Sequence, residues 1–147
     1  MPHDLLIKNV RIVRPSSVED GDIAIAGEKI VNTGRNLGEA KTVYDGKGRL
    51  AFPGVVDAHM HTGIYSPLAE DAVSESRAAA QGGVTSSLNY FRTGQYDLNR
   101  GGPYRDFFPE VLKTASGKFH VDYGFHLAPM DAAHIAEIPE LDRKSVV

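Results

Sequence analysis

The chain has 147 residues, a formal net charge of −3, and 41% hydrophobic and 24% charged residues. This composition is typical of a globular domain of ordinary size, and the charge gives no reason to expect a nucleic acid or an anionic membrane as partner. Cysteine is absent, which excludes disulfides and thiolate metal sites. We see no apolar run that would cross a membrane and no secretory signal, so we expect a cytoplasmic protein.

The first 52 residues predict short β-strands separated by turns. Strand-like segments cover residues 4–12, 22–26, 29–31 and 42–45, and residues that favour turns lie between them. Strands spaced by about ten residues indicate a small antiparallel β domain. Nothing in this region suggests chemistry.

The pattern changes at Phe52-Pro-Gly. The apolar segment 51–56 is typical of a strand that enters a buried sheet. A helix is predicted over residues 67–81, with Ser66 as its N-cap and Pro67 at its first position. Gly82 and Gly83 end that helix.

Two further strand–helix pairs follow. We predict a strand over Val84–Phe91, a polar loop to Tyr104, a helix over Phe107–Ser116 and a strand over Phe119–Leu127. Residues 132–141 are predicted to form short helical turns broken by Pro139. Three alternations of strand and helix indicate βαβ units and a parallel sheet, which fits an open doubly wound sheet or part of a (β/α)₈ barrel.

Two histidines at the end of the first of these strands are the clearest chemical signal. Because side chains alternate along a strand, Asp57, His59 and His61 are expected on one face, at the end where barrel enzymes place their catalytic groups. Two imidazoles can bind a divalent metal such as Zn²⁺, and Asp57 can orient them by hydrogen bonding without binding the metal itself. Two ordinary histidines explain so short a motif equally well, but the surrounding pattern favours the metal site.

Three segments resemble a known family. Phe52-Pro-Gly-Val-Val-Asp-Ala-His-Met-His resembles the signature of the amidohydrolase superfamily, and Ser76-Arg-Ala-Ala-Ala-Gln-Gly-Gly-Val-Thr is similar to its cyclic-amidase branch. Val121-Asp-Tyr-Gly-Phe-His resembles the third strand of hydantoinases and dihydropyrimidinases. The resemblance implies an α/β fold, with part of a small β-sandwich in residues 1–52. Residues 53–147 would then form the first three βα units of an incomplete (β/α)₈ TIM barrel.

The resemblance also implies an activity, the hydrolysis of carbon–nitrogen bonds in small cyclic amides. The implied cofactor is a divalent metal, Zn²⁺, at a binuclear site in the complete enzyme, with His59 and His61 as ligands. A bridging carbamylated lysine, further histidines and a catalytic aspartate would lie beyond Val147, and Lys144 is a poor match for that lysine. We therefore expect an N-terminal fragment without catalytic residues of its own, inactive and poorly soluble alone, from an enzyme that forms homo-oligomers.

Gly63 helps to choose within the superfamily. Dihydroorotases and typical allantoinases usually carry an arginine two residues after the second histidine, where this chain has Gly63. This departure favours a hydantoinase-like enzyme over those two activities. Two other interpretations stay open: a non-catalytic interaction protein of the same fold, which would not need both histidines, and a free-standing small α/β domain that binds a metal or nothing.

Three more residues lie near the predicted site. Tyr65, in the loop after the histidines, and Asn89, near the end of the second strand, are candidate substrate contacts. A surface position for Tyr65 and a satisfied buried amide for Asn89 are the alternatives. For His126 in the third strand we expect a structural role rather than metal binding.

Overall fold

The computed structural model describes residues 2–94 and 101–141. Contacts divide the chain into two compact units, Met1–Pro53 and Gly54–Val147. No helix within the described ranges is long and apolar enough to span a membrane.

The first unit is a mixed sheet built around a long central strand. Its strands are β1 (His3–Val13), β2 (Val18–Ala26), β3 (Lys29–Gly34), β4 (Ala40–Asp45) and β5 (Leu50–Ala51). The order is β3-β2-β1-β4, and β5 also pairs with β1. The buried side chains of Leu6, Val10, Ile12 and Ala24 form its core.

The prediction of an antiparallel domain is only partly right. β1 pairs antiparallel with β2, and β2 with β3, but β4 and β5 run parallel to β1. A parallel pair needs a connection of about a dozen residues or more, and β2 and β3 together supply it between β1 and β4. The spacing of the turns does not reveal this return crossover.

The second unit alternates strands and helices, as predicted. Its elements are β6 (Val55–His61), α1 (Leu68–Gln81), β7 (Val84–Phe91), α2 (Tyr104–Ala115), β8 (Asp122–Leu127) and α3 (Ala132–Leu141). The three strands form a parallel sheet in the order β6-β7-β8. α1 packs against β7 and α2, and α3 packs against α2.

A cluster of buried aromatic and aliphatic side chains packs α1 and α2 against β7. It consists of Leu68, Phe91, Tyr104, Phe107, Val111 and Ala115. Phe107, Val111 and Ala115 follow one another at intervals of four, which places them on one face of α2. This apolar stripe fixes α2 against the sheet.

Several predicted boundaries shift. α1 begins at Leu68, with Pro67 as its N-cap and no capping side chain, so Ser66 is not the cap. α2 begins at Tyr104 rather than Phe107, which puts Pro109 inside the helix. Pro109 has no N–H to donate, but packing of the buried face outweighs that loss.

The last strand and helix shift as well. β8 begins at Asp122 rather than Phe119, and α3 continues through Pro139 instead of breaking there. The strand over Val84–Phe91 has the predicted bounds. The alternation of elements was therefore predictable, while helix starts depended on tertiary contacts.

Candidate metal centre

The carboxyl ends of the three parallel strands bring His61, Tyr90 and His126 into one row. His61 pairs with Tyr90 across β6 and β7, and Tyr90 pairs with His126 across β7 and β8. Residues in register on neighbouring strands point to the same face. The row lies opposite the face from which Phe91 enters the buried cluster.

The strand that carries the histidine pair is not regular. Asp57 pairs with Ser87 and Met60 with Asn89, so β6 has one extra residue between these pairs, as in a β-bulge. Asp57 accepts a hydrogen bond from the backbone N–H of His59 at 3.1 Å through Oδ1. Asp57 therefore contacts His59 through the main chain, not through its ring. Asp57 is in register with the buried Ser87, while His61 is in register with Tyr90 on the other face of β7. The prediction that Asp57 and His61 share a face is therefore wrong, because the extra residue in β6 breaks the alternation.

The two imidazoles nevertheless meet. The Nε2 atoms of His59 and His61 are 3.1 Å apart, and both residues are exposed. Two nitrogens bound to one tetrahedral zinc at about 2.0–2.1 Å lie about 3.3–3.4 Å apart. The pair therefore has the donor type and the spacing that a shared metal requires.

The histidine pair alone does not make a complete metal centre. Within residues 2–94 and 101–141 no group of three or more histidine, aspartate or glutamate side chains is placed to hold a metal. A catalytic zinc usually has three protein ligands and a structural zinc four. Lys144, weighed above as a bridging residue, lies outside the described residues.

Aromatic rings surround the pair. The ring of Tyr90 stacks on His61, with centroids 5.1 Å apart and planes at 28°, and lies 5.6 Å from His59 at 45°. His126 stacks on His59 at 6.4 Å, and its Nε2 donates to the carbonyl oxygen of Ala58 at 3.0 Å. His126 thus braces the backbone beside His59 and does not turn its Nε2 toward the other two imidazoles.

The two candidate substrate contacts, Tyr65 and Asn89, differ in their exposure to solvent. Tyr65 is 80% exposed in the loop after the histidines, so its ring is free to meet a ligand. Asn89 is fully buried, at 0% exposure. Its amide accepts from Thr62 Oγ1 at 2.7 Å and donates to Ser87 Oγ and the Gly124 carbonyl, both at 3.2 Å. In this conformation Asn89 offers nothing to a substrate and ties β7 to β8 and to the loop.

That loop is held from two sides. The buried Thr62 hydroxyl is bonded to Asn89, and the backbone N–H of Gly63 donates to Asp71 Oδ2 of α1 at 3.0 Å. The chain leaving His61 is therefore fixed at the first two residues after the metal motif.

Tyr90 is the site residue that the sequence did not single out. Because side chains alternate along β7, either of its two faces could line the site. The sequence favoured the face of Thr85, Ser87 and Asn89, because its residues are polar. In the structure Ser87 and Asn89 are buried together with Phe91, and Tyr90 faces the histidines. The register between His61 and Tyr90 is the signal that could have found it, but register requires the sheet.

Known proteins resemble this chain over its whole length. No family model matches the sequence. The chain is 36% identical to the allantoinase of Salmonella paratyphi B over 152 aligned positions, which cover 100% of this chain and 32% of that protein. The chain therefore spans about a third of the length of the curated relatives it matches.

Solved structures agree with this result. The L-hydantoinase (dihydropyrimidinase) from Arthrobacter aurescens superposes with a TM-score of 0.81 at 25% identity, over 97% of this chain and 31% of that one. The D-hydantoinase (dihydropyrimidinase) from a Thermus species gives a TM-score of 0.73 at 30% identity, over 93% and 30%.

The fold matches the class of barrel enzymes called the amidohydrolase superfamily, and the βαβαβα unit corresponds to a portion of their (β/α)₈ barrel. Within that superfamily, the chain resembles throughout its length the hydantoinases, dihydropyrimidinases and allantoinases. The resemblance inferred from the three sequence segments is thereby confirmed. Of the two folds that the alternation of strands and helices allowed, an open doubly wound sheet and part of a (β/α)₈ barrel, the structural relatives support the barrel.

Proposed function

We propose that this chain belongs to a metal-dependent hydrolase of carbon–nitrogen bonds in cyclic amides, to which it contributes two metal ligands. The observation that carries the proposal is the 3.1 Å separation of the His59 and His61 Nε2 atoms. They lie at the end of a barrel-type strand, where such enzymes place their chemistry. Similarity to allantoinases and hydantoinases over the whole chain supports the same conclusion.

His59 and His61 would hold the metal, which is zinc in this proposal. When bound, such a metal lowers the pKa of a water molecule and polarises an amide carbonyl. Asp57 holds the backbone of His59 in the bulge, and the bonds of Thr62 and Gly63 fix the loop that follows. A second metal and its bridging lysine, implied by the family resemblance, would use ligands outside the described residues.

Two substrate classes are supported by different observations. The structural relatives are named hydantoinases and dihydropyrimidinases, and Gly63 in place of arginine favours a substrate of that kind. The sequence relatives are named allantoinases, so a ureido-substituted hydantoin is the second candidate. All of these are small cyclic amides, and Tyr65 is the exposed side chain that we propose contacts them.

A chimaera tests this function. The chain would replace the matching segment of the D-hydantoinase from the Thermus species, and hydantoin hydrolysis would be measured with zinc bound. We expect hydrolysis by the chimaera. We expect His59→Ala to lose at least about a hundredfold, because removing a metal ligand should cost at least as much as removing the partner that orients it. His120→Ala is the matched control, since His120 lies just before β8 at the other end of the strands. A folded chimaera that hydrolyses hydantoin equally well with and without His59 would contradict the proposal.

A further inference from the structure

We propose that Tyr90 is a positioning residue for the His59–His61 pair, with its ring as the surface on which both imidazoles pack. The inference rests on the proposed metal site and assigns a role to a residue that is not one of the two proposed metal ligands.

Both imidazoles lack the usual restraint on their orientation. A histidine that binds a metal through one nitrogen normally donates its other N–H to a carboxylate, a carbonyl or water. Among the described residues the rings of His59 and His61 hydrogen-bond only to each other. Asp57, which could have been such an acceptor, is bonded to the main chain of His59 instead.

The remaining restraint is aromatic packing, and Tyr90 is its centre. Its ring stacks on His61 at 5.1 Å and 28° and contacts His59 at 5.6 Å and 45°. These separations lie within the range of about 4.5–7 Å for favourable aromatic pairs. His126 reaches only one of the two imidazoles, so within residues 2–94 and 101–141 Tyr90 is the ring that both share.

The position of Tyr90 is itself fixed by the sheet. It pairs with His61 on one side and His126 on the other, so β7 carries it between the two neighbouring strands. The flanking residues Asn89 and Phe91 are both buried, which anchors the backbone on either side. A ring held in this way can limit the rotation of both imidazoles before a metal arrives.

The test is a cobalt(II) titration of the untagged chain, followed by visible absorption and by competition with a chelator. Tyr90→Phe keeps the ring and should bind cobalt within about twofold of the parent. Tyr90→Leu removes the ring and should bind about tenfold more weakly, the lower end of the effect of losing an orienting partner. Tyr44→Leu, at an exposed tyrosine of β4, controls for the loss of a tyrosine as such.

A spectroscopic readout separates positioning from general damage. In the metal-free protein, the ring-current shift that Tyr90 imposes on the His59 and His61 Hε1 protons should persist in Tyr90→Phe, and the shifts should become smaller in Tyr90→Leu. The cobalt absorption envelope at saturation should change only in Tyr90→Leu. If far-UV circular dichroism shows that Tyr90→Leu is unfolded, Tyr90→Met replaces it, because methionine has no ring and is closer to tyrosine in length.

The outcomes are distinct. Cobalt binding by Tyr90→Leu equal to that of the parent overturns the role of Tyr90 and leaves the metal site intact. A parent that binds no more tightly than the His59→Ala/His61→Ala double variant overturns the metal site and the inference with it. Weaker binding by both Tyr90→Phe and Tyr90→Leu assigns the effect to the hydroxyl and overturns the packing role.

Discussion

Gly63 lies two residues after the histidine pair in a conformation that other residues avoid. Its φ is +77°, and a Cβ built there would lie 2.9 Å from the Cβ of Leu68. Its N–H is bonded to Asp71, so the backbone cannot shift freely to relieve a clash. A larger side chain such as arginine has no room here, which gives a physical reason for this departure from the dihydroorotase pattern.

We predict that Gly63→Ala destabilises the protein more than Gly83→Ala. Gly83 also has a positive φ, +94°, but a Cβ added there would meet nothing within 4 Å. Backbone strain should therefore cost about 1–3 kcal/mol in both variants, and overpacking against Leu68 about 1–3 kcal/mol more in Gly63→Ala. Urea unfolding measures both, and equal losses of stability would show that no clash exists.

Single residues differ in how far the sequence predicts their role. The spacing of His59 and His61 was enough to predict that their rings share a face, and the 3.1 Å contact agrees with it. The bulge at Asp57 was not visible, because it depends on pairing with β7. Asn89 and Tyr90 are adjacent, and only the packing of the sheet against α2 decides which of them faces the histidines.

At the scale of elements, α3 determines where α2 begins. The buried carboxylate of Glu137 on α3, 1% exposed, accepts from the backbone N–H groups of Tyr104 at 2.7 Å and Arg105 at 3.0 Å. It also accepts from Arg105 Nε at 2.9 Å. These bonds satisfy N–H groups of the first helical turn that no local side chain caps, and they add negative charge where the helix dipole favours it.

A buried histidine reinforces the same junction. His134 Nδ1 accepts from the Met130 N–H at 3.0 Å, so Nε2 carries the proton and donates to the Gly102 carbonyl at 2.8 Å. His134 also stacks on Tyr104, with ring centroids 4.3 Å apart. Burial raises the pKa of Tyr104 to about 12, so its hydroxyl stays protonated and donates to the Ala128 carbonyl at 2.6 Å.

The pH dependence of this junction has a definite sign. Burial raises the pKa of Glu137, but hydrogen bonds from the Arg105 and Tyr104 amides and from the Arg105 guanidinium outweigh it and leave the pKa below its ordinary 4.5. A carboxylate with a lowered pKa stabilises the fold above its unfolded-state pKa, and this stabilisation is lost as the pH falls through the lowered folded-state pKa.

Glu137→Gln should therefore destabilise the chain by roughly 1.5–3 kcal/mol at pH 7, the range for hydrogen bonds to a charged group. The difference from the parent should narrow as the pH falls below about 4.5. Urea unfolding from pH 7 into the acid range well below 4.5 measures this difference, with Glu75→Gln at an exposed position of α1 as the control. A difference that stays constant or widens as the pH falls through that range would refute the role of the charge.

This junction also explains which helix boundaries were predictable. β7 was predicted at its observed bounds because its start and end are set locally, by Gly82-Gly83 and by the polar residues after Phe91. The start of α2 depends on Glu137, which follows Tyr104 by 33 positions. No local pattern around Tyr104 contains that information, so the predicted start fell three residues late.

At the scale of the whole molecule, the described residues hold the two proposed metal ligands and no group of three or more side chains that could hold a metal. Besides the histidines themselves, large apolar side chains of β6 are exposed, Val55 at 52% and Val56 at 63%. Exposed apolar residues on a sheet strand favour association between chains. Both features support the proposal that this chain is a poor catalyst and poorly soluble on its own.

We predict that the purified chain with zinc hydrolyses hydantoin, dihydrouracil and allantoin no faster than its His59→Ala/His61→Ala variant. Two imidazoles leave a catalytic zinc one protein ligand short, and the described residues supply no third. Product formation is the measurement, and the chimaera with the Thermus D-hydantoinase is the positive control. Hydrolysis by the chain alone that depends on both histidines would contradict the prediction.

The overall alternation of strands and helices was predictable because hydrophobic periodicity and glycine turns are local signals. The parallel pairing of β4 and β5 with β1 was not, because it depends on the return of the chain across β2 and β3. The proposed metal site lies between these extremes, since its ligands are two residues apart on β6 while the rings around them come from β7 and β8.

The central proposal is that His59 and His61 bind one metal ion together. The zinc affinity of the untagged chain tests this proposal most directly. Isothermal titration of the parent, His59→Ala, His61→Ala and the control His120→Ala would be compared at neutral pH. We predict one zinc per chain for the parent and His120→Ala, and a loss of that binding in either of the other two variants. Equal zinc binding by all four proteins, or none by the parent, would contradict a shared metal site.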